Sequence, residues 1–374
     1  MTHVLIAPDK FKGTLTAAEV AAHIATGMHN VRSDLAVDMV PVADGGDGTL
    51  AAAVAAGFIR VPILASGPTG LPVGSAYARR GAVAVVELAQ VSGLGQLPEG
   101  QLAPEVASSR GTGELIAAAL QDGCRRIVIG IGGSACTDGG AGLLTALGVR
   151  LTRADGELVH PGGVALAEAT QLDLSALNPH LVDAEIIVAC DVDNPLLGET
   201  GAAAVYGPQK GASPEQVMLL ERGLKRFAGL VTTATRADHT REPGAGAAGG
   251  VGFAAIAVLG ARLRPGIDLI LELTGFHEAL QQADLVVTGE GSLDEQTLHG
   301  KAPAGVAAAA RAAGIPVVAV CGRSLLSEEQ LTAAGFAAAY PLTDESSDLQ
   351  ECLTKPGPLL QRIGRRIAVD HLAG

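Results

Sequence analysis

The chain has 374 residues, enough for two domains, and its 48% apolar and 17% charged composition is that of a core-forming protein, not a disordered one. A net charge of −13 without a basic stripe excludes a nucleic-acid backbone as partner. The five cysteines form no CxxC pair, so neither a disulfide framework nor a zinc site is expected, and the longest uncharged run (243–260) is too rich in Gly and Ala to span a membrane.

An apolar strand at 3–8 (HVLIAP) opens the predicted elements. The helix after it covers 16–28, with Thr16 as N-cap and Glu19 as its capping-box partner. A strand at 37–43, a helix from the ADGGDGTL loop to about 56, and a strand at 58–64 complete a β-α-β-α-β start, the pattern of a parallel, doubly wound sheet. From 66 a turn-rich, hairpin-like stretch leads to a helix at 112–122, a strand at 125–132 and a helix at 139–147. A short VRLTRADGELVH hairpin, a strand at 185–192 and helices near 214–233 and 247–260 follow. A strand at 283–291, a helix at 303–313, a strand at 316–322 and a final helix near 356–371 return to the texture of the start. The expected fold class is α/β with two α/β domains: a discontinuous doubly wound parallel-sheet domain (1–64 and 283–374) and an inserted α/β domain with a mixed sheet (65–282).

Chemistry collects at the ends of the strands. IAPDKFKG, PVADGGDG, IGIGGSACTDGGAG, IVACDVDNP and VVTGEGSLDEQTLHGK each follow an apolar run with glycines or carboxylates. One Asp-Gly pair is ordinary turn chemistry, but five such loops at carboxyl ends of strands lie where open α/β sheets bind ligands. GIGGSA (130–135) fits G-x-G-x-x-A after a strand, whereas GAGAAG (244–249) fits G-x-G-x-x-G but follows TREP instead of a strand. The acid about twenty residues past the first motif is Asp155, in a turn, so 130–142 reads as an anion loop and not as a dinucleotide fingerprint. Neither a Walker A sequence nor the protein-kinase motif set is present. Acidic loops beside a phosphate-binding loop imply a divalent cation, typically Mg²⁺. A further aspartate can then take a hydroxyl proton, and Lys10, Lys12, Lys210 and Lys301, all in glycine- or turn-rich segments, can neutralise a transferred group. Among the nine histidines, His299 alone stands in a motif-like loop.

Seven segments, in order, resemble the type 1 bacterial glycerate kinase family: APDKFKGTLTAAEVA, PVADGGDGTL, SSRGTGELI, GIGGSACTDGGAGLLTALG, ACDVDNPLLGETGAAAVYGPQKGA, PGAGAAGGVGFA and TGEGSLDEQTLHGKAPAGVA. One departure is Cys136-Thr137, where the family has Thr-Asn. The resemblance implies two α/β domains with the active cleft between them, ATP, Mg²⁺ and D-glycerate as ligands, and 2-phosphoglycerate as product. Physical reading then distributes the roles. Asp191 is preferred to Asp44 as base because it ends an apolar strand, a rigid and partly desolvated place; Lys10 and Lys12 act with it. Gly132, Gly133, Ser134, Asp138, Gly139, Gly140 and Lys210 are expected to hold the nucleotide, and Asp193, Glu290 and Asp294 the metal. Gly67, Thr69, Gly70 and Lys301 are expected to hold the substrate. The expected protein is cytoplasmic, a monomer or homodimer, with small molecules as partners and neither nucleic acid nor membrane. Two other readings stay open here: a nicotinamide-dependent dehydrogenase of a small hydroxy acid, resting on GIGGSA, and a non-enzymatic sensor of a small anion.

Overall fold

The computed structural model describes residues 2–372, the His299 side chain excepted. In chain order the strands are β1 (His3–Pro8), β2 (Ala36–Met39), β3 (Ile59–Ser66), β4 (Pro72–Arg80), β5 (Val83–Glu87), β6 (Arg126–Gly130), β7 (Arg150–Thr152), β8 (Gln171–Asp173), β9 (Glu185–Ala189), β10 (Arg262–Arg264), β11 (Leu285–Leu293), β12 (Val317–Ser324) and β13 (Ala338–Pro341). They are shared between two compact units. The first comprises Met1–Asp44, Ala51–Gly57 and Ile267–Gly374; the second comprises Gly45–Leu50 and Phe58–Gly266. Among the described residues no helix is long and apolar enough to cross a membrane.

The first unit holds a five-stranded sheet in the order β13-β12-β11-β1-β2, parallel throughout. Its strands are unbroken apolar runs: Val4, Leu5, Ile6 and Ala7 are all fully buried, which is how a strand covered on both faces reads. One face is covered by helices Ala17–His29 and Pro356–Leu372, whose Val20, Ile24, Met28, Leu360, Ile363 and Ile367 pack on Val4, Ile6, Val287, Val318 and Val320. The first of these helices starts at the expected capping box: Thr16 Oγ1 accepts from Glu19 N at 3.3 Å, and Glu19 Oε2 accepts from Thr16 N at 2.8 Å. The two helices touch at glycines. A Cβ on Gly27 would run into the Gln361 carbonyl oxygen, and one on Gly364 into that of Ile24. With β1 flanked by β2 and β11, the strand order reverses at β1, the switch point at which doubly wound sheets bind ligands.

The second unit holds a six-stranded mixed sheet in the order β10-β9-β6-β5-β4-β3. β10, β9, β6 and β5 are mutually parallel, while β4 runs antiparallel to both β5 and β3. Here the β-α-β-α-β expectation for the first 64 residues needs correction. β3 does not extend the parallel sheet; it pairs antiparallel with β4 from Ile59↔Arg79 to Ser66↔Pro72. The reason is the tight turn at 67–70: a short connection can only return the chain antiparallel, since a parallel partner needs a long crossover. Pro62 is tolerated because β3 is an edge strand. A small antiparallel pair, β7–β8, stands apart, and the hairpin expected at 149–160 is reduced to a turn after β7 with a single bridge, Thr152↔Leu158, and Asp155 exposed in it. Few aromatics serve this core; Phe227 and Phe253 meet edge to face at 6.2 Å.

Gly27→Ala is expected to destabilise the protein by about 1–3 kcal/mol, because overpacking at the helix contact outweighs the ~1 kcal/mol gained in helix propensity. Urea unfolding measures it; a variant as stable as the parent would contradict the close approach.

Candidate active site

On the carboxyl rim of the second unit, the loop after β6 is shaped by glycines. Gly133, Gly139 and Gly140 have φ of 72°, 65° and 78°, left-handed conformations that a side chain strains. Gly130 and Gly132 are needed for a different reason. Cβ atoms there would lie 2.6 Å from the Gly45 carbonyl oxygen and 2.6 Å from Gly46 Cα. The 45–48 turn is thus pressed directly onto the tip of β6. It is anchored by Glu87, fully buried at the end of β5, which accepts from Leu50 N at 2.7 Å and Gln90 Nε2 at 2.9 Å. Burial holds the Glu87 carboxyl above its usual range. From behind, Gly249 lies flat on the Cys136 and Thr137 backbone, and Gly139 N donates to Gly249 O at 2.9 Å. The GAGAAG segment is therefore the floor of this loop. Its tight path leaves Ala248 at φ 52°, a left-handed non-glycine residue.

Asp138, expected to meet the nucleotide, is instead the clamp of the loop. It is buried, and Oδ2 accepts from Ser109 N at 2.8 Å, Ser109 Oγ at 2.9 Å, Gly142 N at 3.2 Å and Ser108 Oγ at 3.3 Å, while Oδ1 accepts from Gly140 N at 3.1 Å. Lys210, expected in contact with a transferred phosphoryl group, is only 2% exposed. Its ammonium donates to Ser134 Oγ at 2.9 Å and to Cys136 O at 2.5 Å. The Cys136 thiol beside it is pushed up to about 12 by burial. Thr137, at the position of the family departure, is fully buried with its hydroxyl unpartnered.

Asp191 lies two residues beyond β9 and is exposed, so the desolvated setting expected for it is not what the structure has. It is nonetheless oriented, since Oδ1 accepts from Gly266 N at 2.9 Å. Asp193 is exposed too. Ser66, Gly67, Thr69 and Gly70 line a cavity of about 260 Å³ with Ser108 and Arg110. The amides of Gly67 and Gly70 are engaged inside the turn, to Leu71 O at 2.7 Å and Gly67 O at 3.0 Å, and so do not offer themselves to a carboxylate. β3 and β9 are four strand spacings apart in this sheet, roughly 19 Å. A three-carbon acid cannot meet both Asp191 and the 67–70 turn, and the expected joint use of these residues on one substrate is corrected accordingly.

In the first unit, the β1–β11 switch point gathers acids and lysines. Asp9, which the sequence reading passed over in favour of Lys10 and Lys12, directly follows β1 and ties it to β11 through Asp9 N→Gly289 O at 2.7 Å. Its carboxyl is pushed up to about 7, by burial first and then by Asp44, with Glu290 adding and Lys10 opposing. Glu290 is also raised, again by burial first, with Asp294 and Asp44 adding, against Thr297 and Lys301. Thr297 Oγ1 donates to Glu290 Oε1 at 2.5 Å, and Lys301 Nζ lies 3.6 Å from Asp294 Oδ1 and 3.9 Å from Glu290 Oε2. Lys12 is exposed and Lys10 half-buried; the His299 side chain lies outside the described residues. Among the described residues no three His, Cys, Asp or Glu side chains are arranged to hold a metal by themselves. Mg²⁺ does not require that, being held by one or two carboxylates together with phosphates. Burial first and neighbouring acids second raise the Asp9 and Glu290 carboxyls, and the oxygen-donor chemistry of Asp9, Asp44, Glu290 and Asp294 fits a cation.

Asp138→Asn is expected to lower stability by about 2–4 kcal/mol, since an amide NH₂ then faces backbone and hydroxyl donors. Denaturant unfolding at neutral pH checks this; a change below 1 kcal/mol would argue that the clamp is not holding the loop.

The sequence matches the model of the Glycerate kinase family over residues 4–371. It is 42% identical to a glycerate kinase of Halalkalibacterium halodurans, covering 99% of this chain and 98% of that one. It is 41% identical to a glycerate kinase of Bacillus subtilis strain 168, covering 98% and 97%, and 40% identical to a glycerate 2-kinase of Escherichia coli strain K12, covering 99% and 98%. Among solved structures it is similar to a crystal structure from Salmonella typhimurium LT2 described as a candidate glycerate kinase 2, with TM-score 0.87 and 40% identity over 100% of this chain and 99% of that chain. These matches set aside the dehydrogenase and sensor readings: the chain belongs to the glycerate kinase family.

Proposed function

We propose that the chain transfers the γ-phosphoryl group of ATP to the 2-hydroxyl of D-glycerate by direct in-line displacement. One observation carries the reading: a single carboxyl rim holds both an exposed, oriented aspartate and a glycine loop seated on a buried lysine. Position 2 as acceptor is supported by the relative named glycerate 2-kinase at 40% identity.

In this mechanism Gly133 and Ser134 receive phosphate oxygens, as glycine loops that end parallel strands do; the Gly132 amide donates to Gly45 O at 3.4 Å and acts by seating the loop. Gly139 and Gly140 act by shaping the loop. Asp191, held by the Gly266 amide, accepts the proton of the 2-hydroxyl as its oxygen closes on phosphorus. Glycerate sits at this end of the rim and not at 67–70. Lys10 and Lys12 are cations of the first unit suited to phosphate charge, and Asp44 is an acidic neighbour of Asp9 there. Glu290 and Asp294 are the residues that would hold magnesium, which when bound neutralises phosphate charge; Lys301 balances the same two carboxylates. Asp193 is a further carboxylate open to solvent. The protein acts on small molecules, in the cytoplasm.

Asp191→Asn keeps the acceptor for Gly266 N–H but loses the base. It is expected to lower kcat by several orders of magnitude with an unchanged melting temperature; turnover within tenfold of the parent would remove Asp191 from the role. ADP release with D-glycerate, followed by phosphorus NMR of the product, is expected to give 2-phosphoglycerate. Phosphorylation at the 3-hydroxyl would overturn the regiochemistry, and absence of ADP release the kinase chemistry.

A further inference from the structure

We propose that Lys210 is a positioning residue that fixes the Ser134 hydroxyl as a hydrogen-bond donor to a nucleotide phosphate, without touching the nucleotide itself. The inference rests on the nucleotide reading above and deepens it. Lys210 closes the short 3₁₀ turn Pro208–Lys210, which ends at Gly211 in a left-handed conformation (φ 92°). That turn directs the side chain inward, beneath the loop after β6. At 2% exposure the ammonium cannot extend to a surface ligand. It reaches two oxygens, Ser134 Oγ at 2.9 Å and Cys136 O at 2.5 Å.

A serine hydroxyl has one proton to give and lone pairs to receive. An ammonium only gives. With the Lys210 N–H placed on a Ser134 lone pair, the hydroxyl proton must point elsewhere, and Ser134, though buried, retains 8% exposure. An anion at the loop then receives the Ser134 hydrogen bond, polarised by the cation behind it. Both oxygens that Lys210 meets are neutral. The titratable groups facing it are the Cys136 thiol and the Asp138 carboxylate, and the latter is engaged by Ser108, Ser109, Gly140 and Gly142. A buried cation in that setting favours an anion nearby. Burial accordingly lowers the Lys210 pKa, and a phosphate at Ser134 would restore it.

The test is a double-mutant cycle on ADP affinity, by titration calorimetry, with Ser134→Ala, Lys210→Met and the double variant, each with its melting temperature. Each single variant is expected to weaken ADP binding about tenfold, and the double variant no more than either alone. An additive loss of about a hundredfold would overturn the proposal, because Lys210 would then act on the nucleotide independently of Ser134. A fall in melting temperature without a change in ADP affinity would overturn it as well. Should Lys210→Met fail to fold, Lys210→Arg replaces it: the cation is kept but the donor displaced, and ADP affinity is expected to fall only when Ser134 is present. Equal losses with and without Ser134 would refute the coupling. A parent protein that binds no ADP refutes the nucleotide reading itself, an outcome distinct from additivity.

Discussion

Backbone must lie directly on backbone where the loop after β6 is held, and much of the second unit follows from that requirement. The 45–48 turn presses on Gly130 and Gly132 from one side, and Gly249 supports Cys136 and Thr137 from the other. No side chain larger than hydrogen fits between these layers. A chain with 50 glycines and 2% aromatics is the composition this arrangement needs. The packing has an electrostatic partner: Asp138 ties the loop to the start of helix Arg110–Gln121, and Lys210 supports it from below. Several of the loop's amides are spent on this scaffold, Gly132 on Gly45 O, Gly139 on Gly249 O and Gly140 and Gly142 on Asp138, so the loop holds one arrangement, which spares a ligand the cost of ordering it.

The first unit solves a different problem. At its switch point, burial raises the Asp9 and Glu290 carboxyls, and neighbouring carboxylates add to the penalty. Lys10 and Lys301 offset part of it, while Thr297 donates to Glu290. Such an arrangement is costly for folding and useful for chemistry, as is common where charge has to be handled.

The regular elements were legible because their signals are local. Thr16 with Glu19, the apolar runs of β1, β6, β11 and β12, and the glycine clusters at strand ends each state their structure within a few residues. β3 was misread because an apolar run does not say which sheet it joins; the short turn after it does. Asp9 and Glu87 escaped notice for the same reason: each is one carboxylate at the end of a strand, and only tertiary burial makes it special. Lys210 reads as a surface lysine in a GPQKG turn, and nothing in that segment announces that the turn faces inward. Gly67 and Gly70 read as open amides, yet the turn consumes them.

The pairing of β1 with β11 has a kinetic side. Val4 meets Leu285 across 281 positions of sequence. While the chain is being made, β1 has β2 as its sole sheet neighbour, and two strands alone are marginal. The residues of the six-stranded sheet, by contrast, all lie before position 266, so that sheet can assemble first on an elongating chain. Until β11 emerges, the edge of β1 from Val4 to Pro8 stays unpaired, and the Val4 and Ile6 face has helix Ala17–His29 but not the carboxyl-terminal helix to pack on.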